Sequence, residues 1–247
     1  MTAALRFDAV TVTVADGRNA RNVLHDVSFD VAAGEMVAVM GPSGSGKSTL
    51  VNLACGLVSP TEGSIELLGH APPAPRSKMW MPWWSDRRRE TVGVVHQRLN
   101  LLDGITALDN VALALDLAGL RHGQARREAG DALARVGVAE IADTLTERLS
   151  VGEQQRVAIA RALTGGRPVL LADEPSAALD RTSADEITRL LADLAGEGRA
   201  VLLVTHDSQQ ASWADRTVVL RDGEVVDRIG EPSDAPPSLA ANQGRAW

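Results

Sequence analysis

Residues Gly41-Pro42-Ser43-Gly44-Ser45-Gly46-Lys47-Ser48-Thr49 fit the pattern G-x-x-x-x-G-K-[ST]. This stretch constrains the fold more than any other, because such a loop works only between a buried strand and a helix. Both neighbours are present. Met36–Met40 is a short apolar run that reads as the strand, and Leu50, Val51, Leu53, Ala54 and Leu57 recur at helical spacing. The glycines let successive backbone N–H groups turn toward a polyphosphate, and the helix points its positive end at it. In such a cradle Lys47 reaches the β- and γ-phosphates, while the Ser48 hydroxyl faces a Mg²⁺ ion. Of 25 Lys plus Arg, only Lys47 and Lys78 are lysine. A chain this biased to arginine still keeps an ammonium where a compact charge suits a phosphate cradle.

A length of 247 residues suffices for one large α/β domain with its own core. The net charge of −7 argues against a general nucleic-acid surface, which needs clustered Lys and Arg. The one cysteine, Cys55, sits among the apolar positions after the loop and reads as packing. Met1–Arg6 has no basic-then-apolar signal pattern, and no apolar stretch is long enough to span a bilayer. The expectation is a cytoplasmic chain that reaches a membrane only through a partner.

Alternation over residues 5–14, at Val27, Phe29 and Val31, and over Gly63–Leu68 predicts an antiparallel sheet beside the loop. Leu108–Leu120, Gln124–Val136, Glu153–Leu163 and Ser183–Leu194 read as helices. Val169–Ala172 and Val201–Val204 are continuous apolar runs, the mark of parallel strands covered on both faces. Val218–Leu220 and Val225–Val226 form a hairpin through Asp222-Gly223. Residues 71–90 resist assignment. Prolines at 72, 73 and 75 exclude a helix there, and Met79–Trp84 precedes Arg87-Arg88-Arg89. Those indoles either face lipid or a membrane partner, or cover the edge of the small sheet. From Glu231 onward Pro, Ser and Ala predict a disordered tail over 231–247.

Four later pieces narrow the chemistry. Val169–Asp173 is an apolar strand ending in Asp173 and Glu174, one carboxylate placed for Mg²⁺ and the next to orient and deprotonate water. Leu149-Ser150-Val151-Gly152-Glu153 opens a helix with Ser and Gly, a second place suited to an anion. Gln97 follows the strand Val92–Val95, and His206 follows Val201–Val204. Both therefore sit at carboxyl ends of strands, where open α/β sheets bind ligands.

With these pieces in this order, residues 5–230 resemble the ABC ATPase family. The likeness is closest to the lipoprotein-release, macrolide-export and glycolipid-export ATPases and the related cell-division complex. It lies in Val23–Phe29, Asn52-Leu53 and Arg156–Leu163. The resemblance implies an α/β P-loop NTPase fold with a RecA-like core sheet, an antiparallel β subdomain and a helical signature subdomain near 98–150. It makes Gly41–Thr49 the Walker A loop, Asp173 and Glu174 Walker B, and Gln97 a Mg²⁺ ligand tied to the helical subdomain. It makes Ser150 and Gly152 the signature contacts to ATP, Asp180 part of the D-loop, and His206 the γ-phosphate sensor. In the family two ATPase domains face head to tail, each ATP lying between one P-loop and the other's signature. This chain therefore needs a second copy or a paralogue, with integral membrane permease subunits to receive the motion.

Two departures stand out. Val151 replaces a signature glycine, tolerable if the position is helical and strained if φ is positive. Counting back from Val23, Val14 stands where the family has an aromatic over adenine, leaving His25, Phe7 or the Trp80–Trp84 cluster as substitutes. The expectation is an ATP-hydrolysing subunit that powers export or extraction. The alternatives are a soluble ABC protein in cofactor assembly or cell-division mechanotransmission, and a non-hydrolysing clamp, against which Glu174 speaks.

Overall fold

The computed structural model describes residues 3–16, 19–75 and 77–230, so the tail expected over 231–247 lies outside the described residues. In chain order the elements are β1 (Ala3–Asp16), β2 (Asn19–Ala32), β3 (Met36–Met40), α1 (Lys47–Ala54) and β4 (Glu62–Leu67). Next come α2 (Trp80–Thr91), β5 (Val92–Val95), α3 (Ala107–Asp116), α4 (His122–Arg135) and α5 (Val151–Leu163). The rest is β6 (Val169–Asp173), α6 (Arg181–Gly196), β7 (Ala200–Thr205), α7 (Ser208–Ala211), β8 (Arg216–Arg221) and β9 (Glu224–Ile229).

Strands β3, β6 and β7 are buried along nearly their whole length because both their faces are covered. They lie at the centre of a six-stranded sheet of order β5-β6-β7-β3-β8-β9, parallel except for the β8–β9 hairpin. Side chains alternate across a strand, so each strand feeds two cores. Leu171, Leu202 and Val204 pack with α1 and the small sheet. Leu170, Ala172, Val201 and Leu203 pack with α3, α4, α5 and α6. The smaller sheet, of order β2-β1-β4, is antiparallel as expected, with Phe7 stacked on Phe29 at 4.7 Å. Cys55 is buried, and burial pushes its thiol up to about 12, as a packing residue requires.

The four helices expected over 108–120, 124–136, 153–163 and 183–194 are present as α3, α4, α5 and α6, with α3 ending four residues early. Helices α2 and α7 lie outside that expectation. Pro82 falls in the first turn of α2, where its missing N–H costs no hydrogen bond. Trp80 and Trp84 are buried, and the Trp80 indole N–H donates to Gly56 O at 3.2 Å. A Cβ on Gly56 would lie 2.0 Å from the Trp84 ring, so α2 presses against the end of α1. Trp83 meets Trp84 edge-on at 5.1 Å beneath the Arg87 guanidinium. The indoles thus pack inward on α1 and do not form an exposed lipid-facing cluster. Emptying this site by Trp84→Ala is expected to lower stability by about 3–5 kcal/mol. Urea unfolding measures it, and a loss below 1 kcal/mol would mean that the indole is not a core residue.

Candidate functional site

Gly41 ends β3 so close to β8 that a Cβ there would lie 2.1 Å from Leu220 O. Gly46 caps α1 with φ 103°, and a Cβ would meet Val23 O and the Leu24 side chain at 2.7 Å. Side chains are excluded at both positions, which lets the loop wrap tightly onto α1. Lys47 is buried, and its ammonium donates to Gly41 O at 2.7 Å and Pro42 O at 2.9 Å. Three N–H groups on an ammonium leave one for the cleft.

That cleft has a volume of about 620 Å³. Its wall includes Pro42, Ser43, Gly44, Gly46, Lys47, Ser48 and Thr49 from the loop, with Gln97, Asp173, Glu174, His206 and Val23. Gly41 and Ser45 support the loop from behind, Ser45 being buried. Residues spread over more than 180 positions therefore meet at one place. The cause is the parallel sheet, which ends β3, β5, β6 and β7 on the same edge.

Asp173 closes β6 with its Oδ1 buried and without a hydrogen-bond partner among the described residues. Burial pushes its carboxyl pKa up and neighbouring Glu174 adds to the rise, while a hydrogen bond from Ser48, His96 and Lys47 pull the other way. An orphaned carboxylate oxygen beside a hydroxyl fits a hard cation such as Mg²⁺. No group of three or more His, Cys, Asp or Glu suited to a metal exists among the described residues.

Glu174 adopts φ 49°, a left-handed backbone that a glutamate visits at a cost of about 1–2 kcal/mol. Its N–H donates to Val204 O at 2.9 Å, tying it to β7. Its Oε2 lies 2.7 Å from His206 Nδ1, so the carboxylate at the end of β6 and the imidazole after β7 form one unit. The Glu174 side chain is mostly buried and the His206 ring mostly exposed.

Ser150, Gly152 and Asp180 are not among the residues lining this cleft. Ser150 caps α5 in a reciprocal box, its N–H and hydroxyl both donating to Glu153 Oε2 at 2.7 Å. Asp180 caps α6 by accepting from Ser183 N–H at 3.1 Å. Val151 is the first residue of α5, helical and about half exposed, so the β-branched side chain is unstrained there.

Two residues at the site went unread in the sequence. Arg161 on α5 donates to Leu99 O at 2.6 Å and Asn100 O at 2.7 Å, holding the turn after Gln97. His96 is half-buried beside Gln97; burial lowers its pKa, the Asp173 charge opposes that, and Arg161 adds to the lowering. Neither carries a local signal, since both act through contacts distant in sequence. Glu153 did carry one: Ser150-x-x-Glu153 is a capping-box pattern.

The substitutes named for the missing aromatic lie elsewhere. Phe7 is stacked on Phe29, Trp80 and Trp84 are buried against α1, and His25 pairs with Glu224 at 3.0 Å. Val14 is about half exposed and, unlike Val23, does not line the cleft.

The sequence profile described as ABC transporter matches residues 24–177. Similar curated proteins include a macrolide export ATP-binding/permease protein MacB of Rhodopseudomonas palustris (strain HaA2), 45% identical over 86% of this chain and 32% of its own. A MacB 1 of Aeromonas hydrophila is 43% identical over 94% of this chain and 35% of its own. The chain thus spans about a third of the length of these relatives. Among solved structures, the dimeric post-hydrolysis state of the ATP-binding cassette MJ0796 bound to ADP and Pi superposes with TM-score 0.83 at 35% identity. That match covers 92% of this chain and 99% of the other. The cbiO1 structure from Clostridium perfringens, part of the transporter complex cbiONQ, gives TM-score 0.81 at 28% identity, covering 92% and 88%. No helix among the described residues is long and apolar enough to cross a membrane. With its phosphate loop, its paired carboxylates and this match, the chain belongs to the ABC transporter family, as an ATP-binding cassette.

Proposed function

We propose that this chain hydrolyses ATP to drive a membrane transporter, most simply as a homodimer with two ATP molecules at its interface. The observation that carries this reading is the division of residues. Lys47, Ser48, Gln97, Asp173, Glu174 and His206 share one cleft, while Ser150, Gly152 and Asp180 stand outside it. A second copy facing head to tail would bring its Ser150 and Gly152 to the open side of this one.

The Gly41–Thr49 backbone and Lys47 hold the phosphates; Ser48, Gln97 and Asp173 would hold Mg²⁺, which would supply positive charge against that of the phosphates. Glu174 orients a water and takes its proton as the water oxygen bonds to the γ-phosphorus. The bond from that phosphorus to the β,γ-bridging oxygen breaks, leaving ADP and inorganic phosphate. His206, held by Glu174 through Nδ1, keeps Nε2 for a γ-phosphate oxygen. Arg161 links α5 to the turn after Gln97, so loss of the γ-phosphate can shift the helical subdomain near 98–150 against the core, all within one ATPase domain over 1–230.

The relatives are named export ATP-binding/permease proteins, which favours export through permease subunits, the chain lying on the cytoplasmic face of the membrane. Capturing the chain from detergent-solubilised native membranes tests this. An integral membrane protein should be recovered in stoichiometric amount. Recovery of the chain alone, wholly from the soluble fraction, would favour a soluble ABC protein.

A further inference from the structure

Strand β5 is an outer strand of the six-stranded sheet, and a second pocket of about 400 Å³ is walled by β5 together with α2, α3 and α5. It shares no lining residue with the ATP cleft. Four of its lining residues are arginines. Arg88 and Arg89 come from the last turn of α2, Arg161 from α5, and Arg167 from just before β6. No Asp or Glu lines the pocket among the described residues.

Backbone carbonyls hold three of these guanidiniums in place. Arg88 donates to Cys55 O at 2.7 Å, Arg161 to Leu99 O and Asn100 O, and Arg167 to Arg89 O at 3.1 Å and Arg161 O at 3.2 Å. These bonds position the groups, leave further N–H donors on each, and cancel no charge. Burial lowers the pKa of Arg161 and of Arg167, and the Arg161 charge lowers that of Arg167 further. The only carboxylate paired with any of the four is Asp86, exposed and 3.9 Å from Arg89. Buried charge is costly unless an opposite charge meets it. Arg167 is only 9% exposed, so the fold carries that cost at the wall of an open pocket.

We propose that this pocket binds the phosphate group of an organic phosphate ester, at a site separate from the ATP cleft. A carboxylate brings a single charge and suits one guanidinium fork. A phosphate monoester brings three strong acceptor oxygens and a charge of about −1.5 to −2 at pH 7, which answers several forks together. Beside the arginines, half-buried Val94 and the exposed Leu117 give apolar surface for the carbon part of the ester. Arg161 also holds the turn after Gln97, so the ligand would touch the same side chain that steadies one wall of the ATP cleft. The chemistry is common to a soluble phosphate ester and to a phospholipid headgroup.

The test uses the full chain carrying Lys47→Ala, which removes the ammonium from the ATP cleft and weakens phosphate binding there. Sodium glycerol 3-phosphate is titrated by calorimetry at constant ionic strength. One molecule per chain should bind, with a Kd at or below about 1 mM. Arg167→Gln should weaken binding about 10–100-fold. Arg89→Gln, on the exposed rim, should weaken it about two- to fivefold without loss of folding, and it decides the matter if Arg167→Gln does not fold. Flotation with phosphatidylcholine vesicles, with and without phosphatidic acid, separates the two sources. The net charge of −7 opposes general attraction to an anionic surface. Flotation that requires phosphatidic acid and falls in Arg89→Gln therefore assigns a lipid headgroup, whereas calorimetric binding without flotation assigns a soluble ester. Absence of both, or binding that neither substitution changes, would overturn the proposal and leave the arginines to a carboxylate of a partner protein.

Discussion

A Glu174→Gln chain is expected to bind MgATP as the wild type does and to hydrolyse it on the order of 10²–10⁴-fold more slowly. The amide keeps the size and hydrogen-bonding reach of the carboxylate and loses its basicity. The position is specific: the residue is held at φ 49° by its N–H bond to Val204 O, and its Oε2 already contacts His206. With hydrolysis stopped and binding intact, ATP should hold two variant chains together. Phosphate release and size-exclusion chromatography with ATP check both halves. Turnover near wild type would remove Glu174 from the role of base.

The second large effect is complementation between two inactive chains. Lys47→Ala removes the cleft's ammonium, and Ser150→Arg obstructs the N-terminus of α5, so each alone should be inactive. Mixed, they form some dimers in which Lys47 of the second chain meets Ser150 of the first. With random pairing about half the dimers are mixed, each with one intact site of two, so about a quarter of wild-type activity should return. The structure favours this outcome because Ser150 and Lys47 do not share a cleft within one chain. No recovery in proven heterodimers would mean that hydrolysis is completed in cis or that both sites must be intact together.

What could be read in the sequence was whatever combined a residue with its own element. Lys47, Asp173, Glu174, Gln97 and His206 each follow or end an apolar run, and a parallel sheet brings such ends to one edge without further information. The α2 segment had no such support. Its apolar residues are indoles that pack on a distant glycine, Gly56, and the prolines at 72, 73 and 75, which exclude a helix, lie before it, while Pro82 falls in its first turn. The Glu174–His206 contact joins residues 32 positions apart, and the Arg161 bonds to Leu99 and Asn100 join residues 61 and 62 apart. No periodicity reports such pairings. Val151 was ambiguous because its strain depends on one torsion, and that torsion is set by the Ser150–Glu153 box.

Under the proposed function, ATP is hydrolysed at this cleft only when two copies of the chain enclose it. The most direct measurement is phosphate release per chain from saturating MgATP over a thousandfold range of chain concentration, with Glu174→Gln as the blank. Specific activity should fall toward the blank at high dilution and rise to a plateau as chains pair. A specific activity independent of concentration, from chains shown to be monomers throughout, would contradict it.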